Sequence, residues 1–378
     1  MENIKSILNA KIVEEINKSN NSIKDRIEKS GVVLFGSGNL GKKILTFFTS
    51  KKINVLCIVD NDLRKQGQKV NEVEILSPRE AFSRYGKLES PWVVTIWSPG
   101  HDFSTTKGQL SNIGVIDIVS INNIFQIYSS DLLPYYHFET HEFYLNNIEL
   151  IEKAYLKLFD EESKRQFVGH LKARIGYSFE VIPKAQVDNQ YFPIDIVNLE
   201  RDEVFLDCGA FIGDTLSDFL KYSNEPHKKF ICLEPDPINL VSLRKTINEK
   251  NIPNVEVFNI AVGNQNAELN FEATGGGGAG LSENGTLIVS CKRIDDYFNE
   301  NFTFIKLDIE GAEMDALKGA SNSILSSRPK IAVCIYHLPS DLWSIILYLS
   351  EKYPFYKFSA RTHQYDGLDF VLYAIPVN

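Results

Sequence analysis

The chain has 378 residues, 43% hydrophobic and 24% charged, a globular composition on a length that predicts two domains, because single cores stop growing at about 250–300 residues. Forty basic against 49 acidic side chains give a formal net charge of −9, which argues against an electrostatic footprint for nucleic acid. Cys57, Cys208, Cys232, Cys291 and Cys334 sit in apolar runs with no CxxC spacing and read as buried reduced thiols, and no window has the roughly 18 uncharged apolar residues of a membrane span or the core of a signal peptide, so a cytoplasmic protein is expected.

Residues 1–30 place Ile4, Ile7, Leu8, Ile12, Val13 and Ile16 at helical spacing, an amphipathic helix that packs on its own domain or on a second copy of the chain. Residues 31–125 then alternate strand and helix: VVLFGSGNLGKKILTFF, VLCIVDND, VEILSPREAF, WVVTIW, a helical QLSNIG and VIDIVSI. This is a Rossmann-like, nucleotide-binding pattern. Gly36, Gly38 and Gly41 form a complete GxGxxG that opens a helix after an apolar strand, and Asp60 ends the next strand. The expected roles are a tight turn at Gly36, close phosphate approach at Gly38 and helix packing at Gly41. A dinucleotide, a nucleotide or a nucleotide-linked sugar fits the pattern, as does a glycine turn kept only for packing. His101, in WSPGHD after the fourth strand, lies on the ligand side of such a sheet. The run from FGSGNLG through VDND to ILSPREAF resembles the N-terminal nucleotide-sugar-binding domain of bacterial sugar-modifying acyltransferases.

Residues 126–200, with HEFYLNNIELIEKAYLKLFDEESKRQFVGHL at their centre, are expected to be a helical connector. From 201 to 378 the alternation returns. VFLDC ends in Asp207 and Cys208, Gly209 and Gly213 allow a turn, and Asp214 and Thr215 stand where they can cap the next helix. FICLEP ends in Glu234, an acid suited to ribose hydroxyls, and Asp236 precedes a helix starting at Pro237. VEVFNIAVGN offers a third strand whose end at Ala261 would face an adenine. FIKLDIEGAE brings Asp308, Glu310 and Glu313, and KIAVCIYH, YPFYKFSAR and LDFVLYAIP supply three more strands. The expected fold class is α/β: two Rossmann-like domains joined by the connector, the C-terminal one a seven-stranded class I methyltransferase sheet with a closing strand pair.

DCGAFIGDT, LEPDP, AVGN, RIDDYF, KLDIEGAE and the ending HQYDGLDFVLYAIP together resemble the FkbM family of methyltransferases over about residues 201–376. The resemblance implies S-adenosylmethionine as cofactor and O-methylation of hydroxyls on sugars, polyketides and other secondary metabolites. It implies a cofactor loop at Asp207, Gly209 and Gly213, a ribose-binding acid at Glu234 and the family's acidic segment at Asp308 to Glu313; Thr215, Asp236, Ala261 and Asp308 are expected as further cofactor contacts. For chemistry, Asp308 and Glu310 alternate along a strand, so both carboxylates are expected on one face, as a base or as holders of a divalent ion. The competing role for Glu310 and Glu313 is capping the helix that follows Gly311. His337 and His363 follow strands five and six and stand as bases, metal ligands or hydrogen-bonded wall residues. The run TGGGGAG at 274–280 is expected as a glycine flap. The expected function is therefore an S-adenosylmethionine-dependent O-methyltransferase acting on a saccharide, nucleotide-linked sugar or related metabolite. Two alternatives are an NAD(P)-dependent oxidoreductase built on the first glycine loop and a non-catalytic nucleotide-binding protein.

Overall fold

Short apolar runs bounded by glycine and polar turns form the sheets of a computed structural model that describes residues 3–185, 188–223, 227–276, 278–281 and 285–377. The chain divides into two compact units, residues 1–152, 165–185 and 364–368 against residues 153–164, 186–363 and 369–378. The stretch expected as a connector is helical, with helices Ile148–Lys157 and Glu161–Arg174 among others, but its residues are shared between the two units.

In the first unit the leading helix breaks at Asn9, whose side chain accepts the Ile12 amide and caps a helix Ala10–Ser30, leaving Ile4–Ile7 as a separate turn. Ile16 and Ile27 are its buried apolar face. Strands β1 (Val32–Phe35), β2 (Val55–Val59), β3 (Lys69–Val70), β4 (Val73–Leu76), β5 (Trp92–Val94) and β6 (Ile118–Ser120) assemble in the order β3-β4-β2-β1-β5-β6, parallel except at the short β3 edge. The order reverses direction between β1 and β5, which makes a crevice at their carboxyl ends. The glycine loop follows β1 there.

The second unit repeats that logic. Strands β7 (Val204–Cys208), β8 (Lys229–Leu233), β9 (Val255–Phe258), β10 (Ala261–Val262), β11 (Ala267–Glu272), β12 (Gly280–Leu281), β13 (Leu287–Lys292), β14 (Phe304–Leu307), β15 (Lys330–Cys334), β16 (Tyr356–Thr362) and β17 (Phe370–Pro376) form two sheets. The main one runs β16-β17-β15-β14-β7-β8-β9, with only β17 antiparallel to its neighbours. Phe205 stacks between Phe230 and Phe304 with ring centres 4.5 and 4.6 Å away, and Phe219 packs edge-on, so one aromatic pile staples the three central strands. A smaller sheet runs β10-β13-β11-β12. This corrects the expected end of the third strand. The third strand ends at Phe258, and Ala261 belongs to another strand, pairing with Cys291 in the small sheet. Among the described residues no helix is long and apolar enough to cross a membrane.

Below the aromatic pile, Glu203 is fully buried and accepts Lys330 Nζ at 2.6 Å, the Glu200 amide at 2.8 Å and the Thr303 hydroxyl. Removing the cation leaves a buried carboxylate without its counter-charge. Lys330→Met is therefore expected to cost about 3–5 kcal/mol in urea unfolding, and adding Glu203→Gln to recover a large part of it. Equal stability of Lys330→Met and wild type would show that the pair carries no such weight.

Candidate active site

After β7 the chain turns through three left-handed residues, Gly209 (φ +83°), Phe211 (φ +46°) and Gly213 (φ +86°), into a helix Asp214–Tyr222. Gly209 is required on two counts. Its φ disfavours any side chain, and a Cβ there would stand 2.0 Å from the Asp308 carbonyl oxygen at the end of β14. Glu234, at the end of β8, clasps the turn by accepting the Phe211 amide on one oxygen and the Asp236 amide on the other, both at 2.8 Å. Burial pushes its carboxyl up to about 7 against the pull of those two amides.

Two expected cofactor contacts do different work. Thr215 does not cap: the helix starts from left-handed Gly213, which places Asp214 in the first turn and turns Thr215 inward, buried. Asp236 is fully buried, with both oxygens committed to backbone. One caps the helix Pro237–Glu249 through the Ile238 and Asn239 amides, and the other takes the Thr274 and Gly275 amides at 3.1 and 3.0 Å. Asp236 thereby ties the glycine run to the helix. The far end of that run is strand β12, where a Cβ on Gly280 would come within 3.0 Å of the Glu310 Cβ. Gly277, in the middle of the expected flap, lies outside the described residues.

Asp207 is likewise fully buried, and its partner is Lys306 of β14, 3.1 Å away; the same ammonium donates to the Gly209 carbonyl at 2.6 Å. Burial pushes the Asp207 carboxyl up to about 6, with Lys306 pulling it down. Burial alone would lower the Lys306 ammonium, but Asp207, Asp308 and Asp214 outweigh it and hold it above the ordinary lysine range. Lys306 thus links Asp207 to the loop, while Asp207 Oδ2, the oxygen outside that ion pair, makes no hydrogen bond.

At the carboxyl ends of β14 and β15 the acids gather round one imidazole. His337 is 3% exposed. Its Nδ1 meets Glu313 Oε1 at 2.8 Å, while its Nε2 points at Asp308 Oδ1 (3.4 Å) and Glu310 Oε1 (3.6 Å). Asp308 also accepts the Tyr191 hydroxyl at 2.7 Å. Burial would raise Asp308, but Lys306, His337 and Tyr191 hold it below the usual carboxylate range. Burial pushes Glu310 up to about 7 with Asp308, Glu313 and Asp369 adding to it, and burial and Asp308 push Asp369, which the Tyr336 hydroxyl bonds, to about 7 as well. Burial works against a charged His337, yet Glu313, Asp308 and Glu310 lift it to about 10. The convergence of Asp308 and Glu310 does not come from strand alternation. β14 ends at Leu307, and Glu310 is swung into place by its own left-handed turn at φ +56°, an uncommon and strained conformation for a side-chain-bearing residue. Glu313 does not cap the helix Glu313–Gly319, whose start has no side-chain cap; its oxygens hold the preceding turn instead, accepting the Ile309 and Gly311 amides at 2.8 and 3.0 Å. His363 is buried, with Nε2 2.7 Å from the Tyr373 hydroxyl. That hydroxyl donates to the Gln190 carbonyl, so it accepts from the ring, and His363 is a hydrogen-bonded wall residue.

In the first unit Gly36 is left-handed (φ +115°), and a Cβ on Gly41 would fall 1.9 Å from the Gly36 carbonyl, whereas one on Gly38 would meet nothing within 4 Å. Turn, packing and open approach thus divide among the three glycines as their spacing suggests. Asp60 reaches back to the loop, taking the Ser37 amide at 3.0 Å, the Ser37 hydroxyl, and Lys65 Nζ at 3.2 Å. His101 is held between Asp366 (2.7 Å) and the Thr106 hydroxyl (2.9 Å).

A parallel sheet with its last strand reversed and a glycine loop at the switch point defines a class I methyltransferase fold. Residues 207–358 match the family model "Methyltransferase FkbM domain", and residues 28–84 match "C2185-like, N-terminal". The chain is similar to 2-O-methyltransferase NoeI of Sinorhizobium fredii (strain NBRC 101917 / NGR234), 25% identical over 152 residues, which is 34% of this chain and 61% of that relative's length. The crystal structure of Methyltransferase FkbM from Methylobacillus flagellatus KT shares the fold, with a TM-score of 0.72 and 20% identity over 96% of this chain and all of that one.

Four site residues have no part in the sequence reading: Lys306, Tyr191, Tyr336 and Asp369. Lys306 carries a signal, a lone charge inside the strand FIKL and two positions before Asp308, hence on the same face. Tyr191 and Asp369 arrive from a loop and from the start of β17, and no local pattern marks them. For the glycine run, Asp236→Ala is expected to cost about 1–2 kcal/mol through the lost cap and to hasten proteolytic cleavage within residues 274–280. Unchanged cleavage in limited proteolysis would show that Asp236 does not secure that segment.

Proposed function

We propose that the protein is an S-adenosylmethionine-dependent O-methyltransferase whose acceptor is a hydroxyl of a saccharide, a nucleotide-linked sugar or a related metabolite. The observation that carries the reading is the convergence of Asp308, Glu310 and His337 beside a left-handed glycine loop clasped by Glu234. The loop fits the cofactor: each Glu234 oxygen holds a single amide and keeps a lone pair for a ribose hydroxyl, and Gly209 and Gly213 keep side chains away from the turn. S-adenosylmethionine supplies an electrophilic methyl on a sulfonium.

The residues of the chain prepare the attacking oxygen. Glu310, with an affinity for protons near neutrality, takes the hydroxyl proton, the condition under which a general base is most effective. His337, anchored from behind by Glu313, stands beside the oxygen that gains charge. The oxygen's electron pair forms the O–CH3 bond, the S–CH3 bond breaks, and its electrons stay on sulfur, leaving S-adenosylhomocysteine and a methyl ether. The match to a protein named 2-O-methyltransferase supports oxygen as the accepting atom. Incubating the purified protein with methyl-labelled cofactor and a panel of saccharides is expected to add one labelled methyl per acceptor by mass spectrometry. Glu234→Gln is expected to weaken S-adenosylhomocysteine binding at least tenfold by calorimetry with the fold unchanged. Wild-type affinity in that variant would remove Glu234 from the ribose site.

For the first unit we propose a nucleotide-linked sugar as ligand. The acid that would take a dinucleotide ribose, Asp60, is already engaged by Ser37 and Lys65, while the ground in front of Gly38 is open. Titrating the full chain with a UDP-sugar and with NAD separately is expected to give heat only with the former. Heat with NAD alone would favour the oxidoreductase reading.

A further inference from the structure

We propose that Asp308, Glu310 and His337 form a site for one divalent cation, held by Asp308 Oδ1, Glu310 Oε1 and His337 Nε2. Two of these atoms, Asp308 Oδ1 and His337 Nε2, are buried and make no hydrogen bond, although they lie 3.4 Å apart. Glu310 Oε1 is 3.6 Å from the same nitrogen. Gaps of that size are too long for hydrogen bonds and match the spacing of neighbouring ligands around a cation with bonds of about 2.0–2.2 Å.

The surroundings serve the same purpose. Glu313 holds His337 Nδ1 at 2.8 Å, and is itself fixed by the Ile309 and Gly311 amides, so a proton on Nδ1 leaves Nε2 with its lone pair facing the two carboxylates. A carboxylate behind a ligating imidazole is the usual way to orient it. Tyr191 fixes Asp308 through the other oxygen, Oδ2, which leaves Oδ1 for the cation. Four acids, Asp308, Glu310, Glu313 and Asp369, share this pocket with one imidazole, a surplus of negative charge that a divalent ion offsets. Asp308, Glu313 and His337 also present ligand-type atoms within 4.8 Å of one another, with Glu313 as the supporting carboxylate. Two carboxylates and one imidazole suit a Mn2+-type cation better than a soft-metal site. Glu310 would bind through one oxygen and keep the other for the acceptor's proton, so the assignment rests on the methyltransferase reading for its purpose but not for its detection.

The test uses the full chain stripped with chelator and titrated with MnCl2, following free Mn2+ by electron paramagnetic resonance. One ion per chain in wild type is expected, with affinity reduced at least tenfold in both Asp308→Asn and His337→Gln and retained in Glu234→Gln, each variant checked for its fold by circular dichroism. A stoichiometry near zero, or undiminished binding in folded His337→Gln and Asp308→Asn, overturns the site. S-adenosylhomocysteine titration of the same samples is read separately. Mn2+ binding without it leaves the cation site standing and removes the methyltransferase reading, whereas the reverse removes the site alone.

Discussion

The close approach of Gly209 to the carbonyl of Asp308 is the constraint on which the methyltransferase unit depends. Strands β7 and β14 lie side by side at the point where the sheet changes direction, and their ends can meet at that distance only if one of them lacks a Cβ. Lys306 then bonds the Gly209 carbonyl and neutralises Asp207, so the same strand that carries Asp308 also holds the loop across from it. Loop and acidic cluster are therefore positioned as one piece, and a shift of either strand end would move both.

Charge is arranged in two tiers around that junction. The Asp207–Lys306 pair is closed, buried and internally balanced, which suits a structural role. The cluster around His337 is unbalanced, with more carboxylates than cations, and burial, with the neighbouring acids adding to it, pushes Glu310 and Asp369 to about 7. Buried charge that is left uncompensated costs stability unless something offsets it. The strained turn at Glu310 points the same way, since a side-chain-bearing residue in the left-handed region persists only where its surroundings impose it.

Much of the fold was legible because its signals are local. Apolar runs such as VFLDC and FIKL ended where the strands end, Gly36 and Gly209 marked turns that only glycine allows, and Gly41 marked a close approach that does the same. The site was legible in part for the same reason: Asp308, Glu310 and His337 stand at strand ends that the topology brings together. What escaped depends on distant partners. The ion pair of Asp207 with Lys306 is set by a strand about a hundred residues away, and Asp236 is engaged by the distant amides of Thr274 and Gly275. The end of the third strand was misread because two short strands, β9 and β10, are separated by only two residues and belong to different sheets, a distinction that periodicity does not carry. Tyr191 and Asp369 come from loops, where sequence has no period to read.

The two units set the same device to different ends. In each, a glycine loop sits at a switch point and an acid from the neighbouring strand reaches back to grip it: Asp60 takes the amide and hydroxyl of Ser37, and Glu234 takes the amide of Phe211. Gripping the loop is thus the first work of the acid, and ligand contact is what its remaining lone pairs can add. Asp60 spends that capacity on Asp62, Lys65 and the Ser37 hydroxyl and stays below the ordinary carboxylate range, the hydrogen bonds outweighing its burial. Glu234 has only backbone amides and is pushed up to about 7 by burial. A carboxylate in that condition gains from further hydrogen-bond donors, and the paired hydroxyls of a ribose are donors of the right kind. The same acid position therefore closes one loop on itself and leaves the other ready for a nucleoside.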